Sequence, residues 1–326
     1  MNRERRNMNK KEFDSKYKEH LLRKIIQLKK KKGALIVAHN YERDEVQEIA
    51  DITGDSYALA RKVREAKNKL VVFCGVKFMA ESAHMLSPGK KVLLPVEEAG
   101  CPLADMITVE KLKKKKDEYP EAAVVCYVNS TAAVKAESDI CCTSSNAVQV
   151  VRSLKEEKVI FVPDKNLGRY VREQVPDKEV IVWDGYCVVH MRLTREQVLR
   201  TKELCPGAEF IAHPECRKEV IDMADYIGST AGMIKYVKES SCKEFIIGTE
   251  MGIIYRLKQD NPDKIFHVPT DQFICANMKL TTLGWLARSL EKEIYEITVP
   301  EEVAVKARKA LEKMLAVTSY PGNNPG

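Results

Sequence analysis

The chain has 326 residues, 44% hydrophobic and 31% charged, with a formal net charge of +7. Such values fit a globular protein with a sizeable core and about two domains by length alone, and no apolar run approaches the roughly 20 residues of a helical membrane span. The basic balance reads as solvated surface and also suits anionic substrates; residues 113–116, the densest basic run, lack interleaved aromatics, so nucleic acid is not an expected partner.

Residues 1–22 read as a helical lead-in, of which 1–11 are basic and polar. They lack the apolar core and cleavage site of a secretory leader, so a cytoplasmic location is expected. Ten cysteines in such a setting are read as buried small residues, ligands or catalytic groups rather than disulfides. Residues 34–38 are a buried-strand run that stops at His39-Asn40-Tyr41. Helical spacing follows at 44–50 and 56–66, then an apolar run at 70–73, a turn at Pro88, a strand at 92–94, and Cys101. A second copy begins at 122–126 and stops at Tyr127-Val128-Asn129. It continues through helical patterns at 132–136 and 147–154, an apolar run at 159–162, Pro176, a strand at 180–183, and Cys187. A third begins at 209–212 and stops at His213-Pro214-Glu215. Its helical patterns lie at 232–237 and 251–257, its strands at 245–247 and 265–268, its turn at Pro262, and its cysteine at Cys275. Residues 278–290 read as a helix. Another starts near Thr298, which forms a capping-box pattern with Glu301, with Pro300 in the first turn. Residues 320–326 read as a flexible tail.

The copies keep register. Their triplets open at His39, Tyr127 and His213, 88 and 86 positions apart. Segments 51–56, 139–144 and 225–230 match and close on Ser56, Ser144 and Thr230, each 17 positions after its triplet begins. The cysteines follow the triplets at 62, 60 and 62 positions. Agreement at several landmarks marks an internal repeat. Strands alternating with short helices mean parallel sheets covered on both faces. The expected fold is α/β: three similar three-layer α/β/α units with pseudo-threefold symmetry around a central active site. The units are placed at 23–115, 116–200 and 201–290, followed by a C-terminal helix and tail at 291–326. No GxGxxG or P-loop pattern occurs, so no nucleotide cofactor is expected.

Ligands of parallel sheets bind at the carboxyl ends of the strands, where the triplets, hydroxyls and cysteines all lie. Threefold symmetry would bring them to one cavity. Three converging thiolates suit a four-iron cluster with one iron left open; a catalytic zinc site and three unrelated core cysteines are the alternatives. Cys74, Cys126, Cys141 and Cys142 lie in or beside apolar runs and read as core. Cys205, Cys216 and Cys242 fall off the repeat, and Cys216 is the nearest rival ligand.

In detail the chain resembles the quinolinate synthase family of bacterial and archaeal NAD biosynthesis, over roughly residues 20–315. The resemblance rests on Ala38-His39-Asn40-Tyr41, Ala99-Gly100-Cys101-Pro102-Leu103-Ala104-Asp105, Tyr127-Val128-Asn129 and Pro163-Asp164-Lys165-Asn166-Leu167-Gly168. It continues through His213-Pro214-Glu215-Cys216, Gly248-Thr249-Glu250 and Cys275-Ala276-Asn277-Met278-Lys279. It implies condensation of iminoaspartate with dihydroxyacetone phosphate to quinolinate, phosphate and two waters. It also implies an oxygen-sensitive [4Fe-4S] cluster on Cys101, Cys187 and Cys275, whose open iron acts as Lewis acid. L-Aspartate oxidase or aspartate dehydrogenase would supply iminoaspartate, and iron–sulfur assembly machinery the cluster. A C-terminal CxxC-type motif of some members is missing here. The alternative is another three-cysteine [4Fe-4S] enzyme on a related threefold scaffold, such as the diphthamide-forming family, which should lack the two histidine triplets.

Glu215 is the candidate general base, with Tyr41 beside it to shuttle protons. His39 and His213 are candidates for catalysis and for hydrogen bonds to substrate oxygens. Tyr127 and Asn129 suit a carboxylate. Ser56, Ser144 and Thr230 suit anion binding, against the plainer role of helix N-caps. Lys165 and Glu250 also follow strands, where turns and caps explain them equally well.

Overall fold

A computed structural model describes residues 10–317. The expected tail at 320–326 and the first nine residues lie outside these. Helix α1 (Lys10–Lys32) leads into three units of one plan. The first holds β1 (Leu35–His39), α2 (Asp44–Ile49), β2 (Ile52–Gly54), α3 (Ser56–Glu65), β3 (Leu70–Cys74), α4 (Lys77–Leu86) and β4 (Lys91–Leu93), and α5 (Val109–Glu118) follows. The second holds β5 (Ala123–Tyr127), α6 (Ala132–Ala136), β6 (Ile140–Cys142), α7 (Ala147–Ser153), β7 (Lys158–Val162), α8 (Lys165–Gln174) and β8 (Glu179–Val182), followed by α9 (Arg195–Leu204). The third holds β9 (Glu209–Ala212), α10 (Lys218–Ile221), β10 (Tyr226–Ile227), α11 (Thr230–Glu239), β11 (Glu244–Gly248), α12 (Ile253–Asp260) and β12 (Ile265–His267). Helices α13 (Leu283–Lys292) and α14 (Glu301–Ala316) complete the described chain.

Each unit carries a four-stranded parallel sheet, in the orders β2-β1-β3-β4, β6-β5-β7-β8 and β10-β9-β11-β12. Register is also shared: Leu35 pairs with Val71, Ala123 with Val159 and Glu209 with Phe245. The cause is the burial of β1 and β5 along their whole length, which only helices on both faces can provide. One side-chain device recurs as well. Asp51, Asp139 and Asp225 accept the backbone N–H of Ile36, Val124 and Phe210 at 2.9, 2.8 and 2.7 Å. This explains why an aspartate opens the second landmark of every copy.

The three α/β/α units match the expectation, with local differences. Helices α4 and α8 occupy stretches for which the sequence predicted no helix. Residues 278–280 form a short 3-10 turn, and α13 starts only at Leu283 because the Thr282 side chain accepts the Trp285 N–H. Helix α14 is preceded by Pro300 as N-cap, with no side-chain cap; the rigid φ of −52° at Pro300 sets the helix start, and Thr298 lies upstream of it. Among the described residues no helix is long and apolar enough to cross a membrane.

Candidate active site

The carboxyl ends of the central strands face one cavity. Its lining includes His39, Tyr41, Ser56, Cys101, Tyr127, Asn129, Ser144, Cys187, His213, Glu215, Thr230 and Cys275. Every residue that the sequence singled out as a ligand, base or substrate contact thus comes to one place. The other seven cysteines are not among the lining residues. Cys74, Cys126, Cys141, Cys142 and Cys216 are fully buried, and the Cys216 thiol donates to Gly248 O at 3.3 Å.

The triplets share a turn. Tyr41 N donates to His39 Nδ1 at 3.1 Å, and Glu215 N donates to His213 Nδ1 at 3.3 Å. Each ring therefore carries its proton on Nε2. His213 Nε2 lies 3.1 Å from Ser144 Oγ. Burial, helped by the Lys279 charge, lowers His39 to about 3; burial also lowers His213 to about 3, against the pull of Glu215. Both imidazoles are neutral donors at working pH. The hydroxyls do not cap helices. Asp55 and Ser229, one position earlier, cap α3 and α11, and Asn146 precedes α7 without a side-chain cap. Ser56 and Thr230 are left on the first turns of α3 and α11, facing the cavity, where N–H groups and the helix dipole favour anions. No Lys or Arg is among the described lining residues.

Two residues to which the sequence reading gave no role complete a chain of contacts. The Tyr41 hydroxyl meets Thr249 Oγ1 at 2.5 Å, and His190 Nε2 lies 2.8 Å from the same oxygen. His190 Nδ1 lies 2.8 Å from Glu215 Oε2 and 3.2 Å from Cys187 Sγ. Tyr127, from the second unit, also lowers the Glu215 carboxyl. Burial opposes ionisation of Glu215, but the His190 charge and hydrogen bond, with His213 and Tyr127, outweigh it and hold the carboxyl below the usual range. Glu215 Oε1 is buried and has no hydrogen-bond partner among the described residues. The signal for His190 was a Cys-x-x-His spacing from Cys187, and Thr249 lies in the quoted Gly248-Thr249-Glu250 motif.

The three cysteines close the cavity from three units. Burial pushes the Cys101 thiol up to about 12, with Cys275 and Glu215 adding to it. Burial and then Glu215 raise Cys187, and burial raises Cys275. Mutually repelling buried thiols keep their protons unless a cationic group sits among them. Among the described residues, the sets of three ligand atoms within 4.8 Å of one another are Cys187-His190-Glu215 and Cys205-Glu244-His267. The three cavity thiols are not such a set, whereas a single tetrahedral zinc with ~2.3 Å bonds would draw them to roughly 3.8 Å. Cys187-His190-Glu215 is compact enough for a single ion but is already tied into the hydrogen-bond chain above.

The family model for quinolinate synthetase A protein matches residues 23–316. A quinolinate synthase of Caldicellulosiruptor saccharolyticus is 53% identical over 300 residues, covering 92% of this chain and 99% of the relative. One from Clostridium kluyveri is 52% identical, and one from Methanoregula boonei is 53% identical, each covering 91% of this chain and 98% of the relative. The family model and these relatives span most of the chain, and the chain belongs to the quinolinate synthetase A protein family.

Proposed function

We propose that this chain condenses iminoaspartate with dihydroxyacetone phosphate to give quinolinate, phosphate and two waters, in the cytoplasm, as a step of NAD biosynthesis. The observation that carries the reading is the meeting of three cysteines from three units with two histidine triplets in one cavity. Cys101, Cys187 and Cys275 would hold a [4Fe-4S] cluster, which with three protein ligands supplies an open iron as Lewis acid. The chain's own groups do the rest. Glu215, through its unpartnered Oε1, takes a proton from substrate carbon or nitrogen, and His190 holds that carboxylate in place. Tyr41 passes protons along Thr249 and His190. Neutral His39 and His213 donate from Nε2 to substrate oxygens, while Tyr127 and Asn129 hold a carboxylate. The first turns of α3 and α11, with Ser56 and Thr230, hold phosphate or carboxylate without a fixed cation. Iminoaspartate would come from L-aspartate oxidase or aspartate dehydrogenase, and the cluster from iron–sulfur assembly proteins.

The test is anaerobic purification, iron and sulfide analysis, a visible spectrum, and assay of quinolinate from the two substrates. About four irons per chain and quinolinate formation are expected. A colourless, iron-free protein sinks the cluster. Iron without quinolinate points instead to another three-cysteine cluster enzyme. Replacing Cys187 should abolish iron binding, and replacing Cys216 should leave it.

A further inference from the structure

The loops that carry the three cysteines are tied down by a shared backbone contact. Lys77 N donates to Ala99 O at 2.8 Å, Lys165 N to Gly185 O at 2.7 Å, and Met251 N to Phe273 O at 2.9 Å. Each acceptor stands two residues before its cysteine. A second contact occurs in two units only. Asp164 Oδ2 accepts the backbone N–H of Cys187 at 3.0 Å, and Glu250 Oε1 accepts that of Cys275 at 3.1 Å. Each carboxylate spends its other oxygen on the start of its own helical segment: Leu167 N donates to Asp164 Oδ1 at 2.8 Å, and Gly252 N to Glu250 Oε2 at 2.7 Å. Asp164 is fully buried and Glu250 nearly so. The two stand 86 positions apart, in the same place of the repeat, and the first unit has Val76 there, with no acceptor to offer. Around Cys101 the Gly100 carbonyl is held instead by Asn277 Nδ2, at 2.8 Å, from the Cys275 loop.

Two independent copies of one bidentate arrangement are not explained by capping alone. A helix cap needs one acceptor oxygen, as Thr108, Thr194 and Thr282 show elsewhere in this chain. A carboxylate with two oxygens ties the cap to the cysteine behind it. Groups of this kind, one bond removed from a metal ligand, orient the ligand and govern how firmly the metal is held. We propose that Asp164 and Glu250 are positioning residues that set the Cys187 and Cys275 arms of the cluster site before iron arrives, while the Cys101 arm closes on the metal. The inference rests on the cluster reading above and adds an order to its assembly. Asn277 then links the adaptable arm to a preset one.

The test uses the full chain with Asp164→Ser and Glu250→Gln. Serine keeps an N-cap oxygen but has no second one for Cys187. Glutamine has a single carbonyl oxygen for two N–H groups. Thr194→Ala, which removes the cap of α9, is the control. In iron-free protein, hydrogen exchange is expected to quicken about tenfold at the Cys187 amide in the first variant and at the Cys275 amide in the second, and in the wild type the Cys101 amide should exchange fastest of the three. In reconstituted protein, iron should pass to a chelator roughly ten- to a hundredfold faster in both variants than in the control, with an altered EPR line shape of the reduced cluster. Unchanged exchange at both cysteines, or iron loss equal to that of Thr194→Ala, overturns the proposal. If Asp164→Ser does not fold, Glu250→Gln decides by the same readouts. A wild-type chain that takes up no iron defeats the cluster reading, and the exchange data still decide whether the carboxylates hold the loops.

Discussion

At the residue scale, one position of the repeat is filled three ways, and the chemistry follows from the differences. His39 and His213 turn their Nδ1 toward their own backbone, while Tyr127 supplies a phenol. Position three of the triplet is Tyr41, Asn129 or Glu215, so a hydroxyl, an amide and a carboxylate meet across the cavity. Glu215→Gln keeps the size and removes the proton acceptor. Steady-state assay of quinolinate should show kcat reduced about a hundredfold or more, with iron per chain unchanged; near-normal turnover would remove Glu215 from the base role. The positions of these side chains were legible because they repeat. His190 and Thr249 were not, because they break the repeat. The places that match His190 hold Ala104 and Met278, and those that match Thr249 hold Gly75 and Pro163. Repeat alignment finds what copies share and passes over what one copy alone has gained.

At the element scale, the strand ends could be read from apolar runs; no helix was expected over α4 or α8, although α8 is amphipathic. Both helices follow a buried strand within three residues, and helix α4 is buried on several sides, so its sequence lacks a clean polar face. The helix after each cysteine loop serves the next unit. Helix α5 packs on α6, α9 covers the outer face of the β9 sheet, and α13 returns to lie beside α1 on the β1 sheet. Glu293 ends α13 with a left-handed φ of 50°, and its carboxylate reaches Lys32 at 2.5 Å and Lys91 at 2.9 Å. These two hydrogen bonds hold its carboxyl down to about 2. A depressed carboxyl stabilises the fold above its unfolded value of roughly 4.3 and stops doing so as pH falls through its folded value. Because the side chain is 33% exposed, the contribution at neutral pH is discounted to ~0.5–1 kcal/mol. Thermal melts of Glu293→Gln against wild type should show a Tm lower by roughly 1–3 °C at pH 7, with the gap narrowing below about pH 4.5 and closing near pH 2. A gap that stays constant across that range would mean that the backbone turn, rather than the ion pairs, carries the effect.

At the scale of the whole molecule, the threefold plan followed from the sequence, but its closure did not, since a repeat says nothing about what comes after its last copy. Helix α14 proves to be a brace rather than an appendage. It packs on α4 of the first unit and on α6 and β6 of the second. Arg308 donates to Met85 O, Asn146 to Met314 O, and Lys313 to Asp139 O. Ala304, Ala307, Ala310, Leu311 and Met314 are buried along its inner side. Leu311 is fully buried, so Leu311→Ala leaves a cavity between two units and should cost about 2–5 kcal/mol in denaturant unfolding. The chain's two tryptophans make the consequence visible, because Trp183 follows β8 in the second unit and Trp285 lies on α13 against the first. In single-tryptophan versions, Trp183→Phe and Trp285→Phe, fluorescence should report one shared midpoint, and Leu311→Ala should move both probes together. Midpoints that separate, or a shift confined to one probe, would show that the units unfold independently and that the helix braces only one of them.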